Sequence, residues 1–341
     1  MKKYFVYELK KSLFVTLALA VIATAVYLVS VLTDTVKVDY KYFSVPVETI
    51  LVLGGAMSVI IPIWKLGYLM KKRSVDLYYS LPLSHTRILA VKLLAGLIAL
   101  FAPYTIAYWV GSIAALASVG KYINGVCFVS MYFASLIPMA IIYSLTAFLF
   151  TRANRFVDGV AFVIMTGMSL EMIMVVVLKV VTLYDKSYEF FKYYFNSIYY
   201  TPFGSLILIW EYFSKAIMNE TVNIRINAVD IVGLALIAVL GLAAGIGLLF
   251  AEKRAKAENC EQISESFFGY KVMIPLYTFL LALLGSYDSF ILAAVIAAAA
   301  YAASVLYKRT PKIGWKFAVI VGVAFIVGVG LSFIPPVAYY D

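Results

Sequence analysis

The stretch Tyr68–Gly96, YLMKKRSVDLYYSLPLSHTRILAVKLLAG, decides how this chain is read. It places Lys71, Lys72, Arg73 and Asp76 beside Leu77, Tyr78, Tyr79, Leu81 and Leu83, between two strongly apolar runs. A membrane span does not tolerate that density of charge. A segment facing only water has no use for the adjoining apolar side chains. An amphipathic helix at a membrane surface accommodates both, and a helix over about residues 70–87 is expected.

The rest of the chain agrees with a membrane setting. Of 341 residues, 64% are hydrophobic and only 13% charged, and the mean hydropathy is +0.95. Soluble domains carry apolar residues at about half of their positions. Apolar runs long enough to cross about 30 Å of hydrocarbon occur at Leu13–Thr33, Thr49–Leu69, Ile88–Ser118, Val126–Phe150, Val157–Thr182, Asp230–Ala251, Tyr270–Gly285, Phe290–Tyr307 and Phe317–Ile334. The fold class expected is all-α, a polytopic transmembrane helical bundle of about nine spans, the seventh being short. The first run follows Lys10 and Lys11 and is too long for a signal-peptide core, so it is expected to stay in the mature protein.

Basic residues set the orientation. Lys2, Lys3, Lys10, Lys11, Lys71, Lys72, Arg73, Arg87, Arg152, Arg155, Lys253 and Arg254 fall on one side of that layout. The positive-inside rule makes this side cytoplasmic, with the amino terminus inside and the carboxyl terminus outside a cell membrane. The net charge of +10 collects at span ends, as topology demands, so nucleic acid is not an expected partner. Cys127 and Cys260 fall on opposite sides and imply no disulfide framework. The single histidine, His85, excludes a His-rich metal site and lies in the first turn of the expected third span.

The spacing D-x4-L-P-x-S-x2-R-x4-K, carried by Asp76, Leu81, Pro82, Ser84, Arg87 and Lys92, resembles the loop between the first two hairpins of permeases in type 2 ABC exporters. The resemblance implies a coupling helix seated on a separate cytoplasmic ATPase subunit, contacted through Arg73, Asp76, Leu77, Leu81, Pro82, Ser84, His85 and Arg87. It also implies a second permease copy or homologous permease as partner, and ATP and Mg held by the ATPase. The alternative for the same residues is simpler: positive-inside anchors, a proline that stops a helix and a serine that caps the next span.

The resemblance extends in layout over residues 1–251, a six-span core, followed by a cytoplasmic linker and three further spans at 252–341. It implies an amino-terminal interface helix for MKKYFVYELK, where a plain basic anchor is the alternative. The segment 183–229 is expected outside and is unusually aromatic. Within it TPFGSLILIWEYFSKAIM is too polar at Glu211 and Lys215 to span, yet apolar enough to lie in the interface or dip into it. The family places re-entrant gate helices here, which makes Phe203, Trp210 and Tyr212 candidate outer-gate residues; an aromatic belt fixing depth in the bilayer is the alternative.

Chemistry is otherwise sparse. There is no G-x4-G-K-[ST] loop and no H-E-x2-H motif, so ATP hydrolysis falls to a partner and the chain itself is not expected to be an enzyme or to bind a cofactor or metal. No pair of charged groups on facing spans is evident near the midplane. Glu171 stands within a span at a cost of about 2.5–3.5 kcal/mol if it faced lipid. With Met168 and Met172 it lines a substrate path in one reading and forms a structural pair in the other. The charged stretch after the sixth span, AEKRAKAENCEQISESFFGYKV, is expected to be helical, as a second ATPase surface or a linker. Alternative functions are an ion-coupled secondary carrier and a membrane sensor without transport.

Overall fold

The computed structural model describes residues 2–34, 45–80, 82–119, 125–184, 201–217, 228–252, 260–262, 264, 266, 269–285, 290–308 and 314–333. All regular structure among them is helical. The helices are α1 (Lys2–Asp34), α2 (Val47–Leu66, extended by a 3-10 turn at Gly67–Met70), α3 (Lys72–Tyr79), α4 (His85–Val119), α5 (Gly125–Phe150), α6 (Phe156–Tyr184), α7 (Gly204–Ile217), α8 (Ala228–Glu252), α9 (Tyr270–Gly285), α10 (Phe290–Lys308) and α11 (Trp315–Ser332).

Seven of these helices are long and apolar enough to cross a membrane: α1, α2, α4, α5, α6, α8 and α11. Two further apolar helices, at Tyr270–Leu284 and Ile291–Tyr307, are shorter. The 16 residues of α9 rise only about 24 Å, which is the physical content of the short seventh run. Large apolar side chains such as Phe14 (81% exposed) and Val21 (68%) stand on the outside of α1. A soluble protein would not present such a surface; lipid would cover it.

The amino terminus differs from expectation. Instead of a separate interface helix, residues 2–34 form one continuous helix of 33 residues. Nothing in ELKKSLF breaks a helix, and at about 50 Å it exceeds the hydrocarbon thickness. The charged first turns of α1 are therefore continuous with its apolar part, with no break between them.

Contacts group the helices into two compact units. The first contains α1–α5, α7 and α8, and its core is built from Tyr27, Ile50, Leu100, Tyr104, Tyr108 and Phe128, all fully buried. Two of the three tyrosine hydroxyls are satisfied inside the bundle, while that of Tyr27 is buried without a hydrogen-bond partner among the described residues. Tyr104 pairs with Ser135 at 2.6 Å, and Tyr108 donates to the Phe128 carbonyl at 2.7 Å. Small residues let helices close up: a Cβ at Gly111 would meet the Tyr27 ring, and one at Gly241 would lie 2.8 Å from Ile141. Along α8, Gly241 marks this close approach to α5, while Gly245 faces open space.

The second unit contains α6, α9, α10 and α11. A Cβ at Gly328 of α11 would lie 2.7 Å from the Phe279 carbonyl of α9, so those helices touch backbone to backbone. Tyr270 donates to Asp158 at 3.0 Å and Tyr277 to the Met165 carbonyl at 2.7 Å, fixing α9 to α6. The unit grouping puts α6 with the carboxy-terminal helices, which the run of hydropathy alone does not reveal.

The charged stretch after α8 was expected as a helix. Residues 253–259 lie outside the described residues, and Cys260–Gln262 form a turn rather than a helix, with Glu261 at φ 66°. That turn is pinned to the α5–α6 connection: the Glu261 amide donates to the Asn154 carbonyl at 2.9 Å, Arg155 Nε donates to the Glu261 carbonyl at 2.6 Å and Ser264 donates to the Arg152 carbonyl at 2.6 Å. Neither Cys127 nor Cys260 is joined in a disulfide.

Candidate functional site

The charged stretch 71–84 forms a short helix and a turn. After the 3-10 turn, Lys71 adopts an extended backbone at φ −124° and ψ 117°, which separates α2 from α3. Only eight residues, Lys72–Tyr79, are helical, rather than the whole of 70–87. Pro82 has no amide to donate and disfavours a helical residue before it, so the helix stops and restarts beyond. The Arg87 and Ile88 amides donate to the Ser84 carbonyl at 2.9 and 3.1 Å, and His85 opens α4.

α3 has two faces. Val75 is 3% exposed and, three residues on, Tyr78 is half-buried; spacing of three places them on one side. Arg73, Asp76 and Leu77, related by three and four residues, share the opposite side and are exposed, Leu77 at 65%. Pro82, Ser84 and Arg87 are also exposed, and His85 is half-buried. Leu81 lies outside the described residues. The expected coupling residues thus divide into an outward row on α3 and the turn that follows it.

What anchors the inner face of α3 is a buried charge. Lys92 Nζ lies 3.0 Å from Glu8 Oε1, with side-chain exposures of 4% and 3%. The same Nζ lies 4.1 Å from the ring centre of Tyr78 and 4.4 Å from that of Tyr68, and those two rings meet edge to face at 4.8 Å. Lys11 donates to the Tyr78 hydroxyl at 3.3 Å, and Tyr4 donates to Glu8 at 3.1 Å. Lys65, at the end of α2 and also buried, lies in the field of Glu8. One cation therefore ties together α1, the 3-10 turn, α3 and α4.

The expectation that no charged pair stands near the midplane does not extend to this pair. α1 and α4 pack along one another more extensively than any other two helices, and Glu8 and Lys92 face each other across them. The pair sits near the helix ends, about 9–10 Å in from Lys2 and His85, rather than at the midplane. Glu8, Lys11 and Tyr68 were not singled out from sequence as parts of a site, and Tyr78 was noted only as an apolar neighbour of the charges. The only available signal was Lys92 itself, a lysine two turns inside an apolar run.

The other candidate residues lie apart from this cluster. α7 packs on α2 and α5, burying Leu206, Leu208 and Ile209. Its 14 residues rise about 21 Å, too little to span. Phe203 and Trp210 line a groove of about 370 Å3 against α2, whereas Tyr212 does not. Trp210 Nε1 donates to Glu48 at 3.1 Å. On α6, Glu171 is half-buried and makes no hydrogen bond or ion pair among the described residues; Met168 is 55% exposed and Met172 half-buried. Tyr277 lies close enough to Glu171 to feel its charge. No group of three or more metal-ligating side chains occurs among the described residues.

Fold and site define a helical membrane-type bundle with an amphipathic element clamped to the end of its first helices. No protein-family model, no curated protein and no solved structure matches the chain.

Proposed function

We propose that the chain is the membrane-spanning permease subunit of an ATP-driven ABC exporter of type 2, working as a dimer of permeases with cytoplasmic ATPase subunits. The observation that carries this reading is the construction of α3. A short helix with an exposed row of Arg73, Asp76 and Leu77 is joined on its inner face, through Tyr78 and Lys92, to the two longest helices of the bundle.

Such an arrangement suits force transmission. A partner that presses on the outer row displaces Tyr78, and Tyr78 bears on the cation that holds α1 to α4. A buried ion pair has few alternative geometries that keep both charges satisfied, so displacement at α3 moves both helices together and not α3 alone. ATP and Mg belong to the ATPase subunits, and substrate passes between paired permeases as their closure shifts the spans.

In this reading the chain lies in the cell membrane with α3 on the cytoplasmic face, where Lys71, Lys72, Arg73 and Arg87 satisfy the positive-inside rule. Nine spans, the two shorter helices included, comprise a six-span core and three additional spans. The aromatic segment containing α7 forms the outer gate, and Glu171 with Met168 and Met172 borders the path.

The experiment is reconstitution with the ATPase subunits in vesicles, followed by parallel measurement of ATP turnover and substrate movement. Asp76→Arg and Pro82→Gly are expected to leave the fold intact and to break the link between the two activities. Transport that continues at the wild-type ratio to ATP turnover in both variants would rule the assignment out.

A further inference from the structure

We infer that the groove between α2 and α7 is a binding site for amphiphilic organic cations, meaning molecules with an apolar body and a protonated amine. Leu51 and Leu206 form its buried floor, while Val52 and Ile207 on its walls are exposed at 68% and 44%. Its volume of about 370 Å3 falls in the range of small-molecule clefts. At Gly55 a Cβ would lie 3.0 Å from Leu206, so the groove keeps its depth because that position carries no side chain.

Among the described residues lining the groove, Glu48 alone is ionisable. Trp210, a second lining residue, donates its indole N–H to that carboxylate at 3.1 Å, and no described lysine or arginine pairs with Glu48. An acidic residue in the first turn of a helix complements the helix dipole, but the dipole requires neither the indole that holds it nor the apolar groove beneath. A carboxylate beside an aromatic ring, at the end of a cleft whose other described lining residues are uncharged, attracts a cation and rejects a fatty-acid head group. The apolar floor selects a body that prefers hydrocarbon.

The site stands on this geometry alone; that its occupant is the exported cargo rests on the permease reading above. The test uses the full-length protein in neutral detergent and follows Trp210 fluorescence, isolated as the difference between wild type and Trp210→Phe. The probes are a nitroxide-labelled hexadecyl-dimethylammonium and a nitroxide-labelled stearate. The cation is expected to quench at a concentration at least ten-fold lower than the anion.

Glu48→Gln, which keeps an acceptor for Trp210 but removes the charge, is expected to abolish that preference. Should that variant not fold, Gly55→Leu fills the groove and is expected to remove quenching by both probes. Equal quenching by the two probes in the wild type, including the weak quenching expected if a second copy covers the groove, overturns the proposal, as does a preference that survives Glu48→Gln. Charge preference in a chain that recruits no ATPase keeps the site and removes the permease reading; an ATPase partner without charge preference does the reverse.

Discussion

Lys92 Nζ and Glu8 Oε1 stand 3.0 Å apart in a space almost closed to solvent, and the ring of Tyr78 lies 4.1 Å from the same nitrogen. Breaking a buried pair by removing one partner costs about 3–5 kcal/mol, because the other charge is stranded. Lys92→Met and Glu8→Gln are therefore each expected to lower the thermal midpoint of the purified protein sharply. The double variant removes both charges, keeps an acceptor for Tyr4, and is expected to recover most of the loss while leaving ATP turnover and transport uncoupled. A double variant no more stable than either single one, measured by thermal unfolding in detergent, would contradict the pairing.

The aromatic wall contributes separately. Tyr78→Phe keeps the ring over the cation and loses only the bond from Lys11, for an expected cost of about 0.5–1 kcal/mol. Tyr78→Leu removes the cation–π contact as well, worth up to about 2 kcal/mol when desolvated, and is expected to be the more destabilising of the two. Thermal midpoints in the opposite order would count against the cage.

The two faces of α3 separate folding from partner binding. Val75→Asp puts a charge where the residue is 3% exposed and is expected to detach α3 from the bundle, raising its protease sensitivity. Leu77→Asp lies on the 65%-exposed side and is expected to leave stability within about 0.5 kcal/mol while weakening ATPase association. Limited proteolysis and a pull-down on both variants decide the matter; an unstable Leu77→Asp would show the face to be misassigned.

Glycines give a test of packing free of any functional premise. Gly328→Ala and Gly241→Ala press a Cβ against the Phe279 backbone and the Ile141 side chain, and both are expected to lower the thermal midpoint. Gly245→Ala and Gly322→Ala meet nothing within 4 Å and are expected to be neutral or slightly stabilising, since alanine is the better helix former. Equal effects at all four positions would contradict the helix contacts described.

The helical bundle was legible because spans are encoded by run length and composition, which need no knowledge of neighbours. The start of α4 at His85 was legible too, since Pro82 forces a stop. The continuity of α1 was not: Lys10 and Lys11 resemble a boundary, whereas a helix that overshoots the apolar layer carries lysines without ending. Pairings between helices were also hidden. Glu8 and Lys92 are 84 residues apart and Glu48 and Trp210 are 162 apart, and residue order does not state which spans are neighbours. The exposed row Arg73, Asp76 and Leu77 was visible as charge beside apolar residues, but the buried cation behind it was not.

The most direct measurement is gentle purification of the tagged protein from its native membrane, with mass spectrometry of near-stoichiometric companions, beside Asp76→Arg and Pro82→Gly. The account predicts a soluble protein bearing a phosphate-binding loop with the wild type, and its loss from both variants although they retain the wild-type thermal midpoint. Absence of any such ATPase from the wild type, or its undiminished recovery with both variants, would contradict the role assigned to α3.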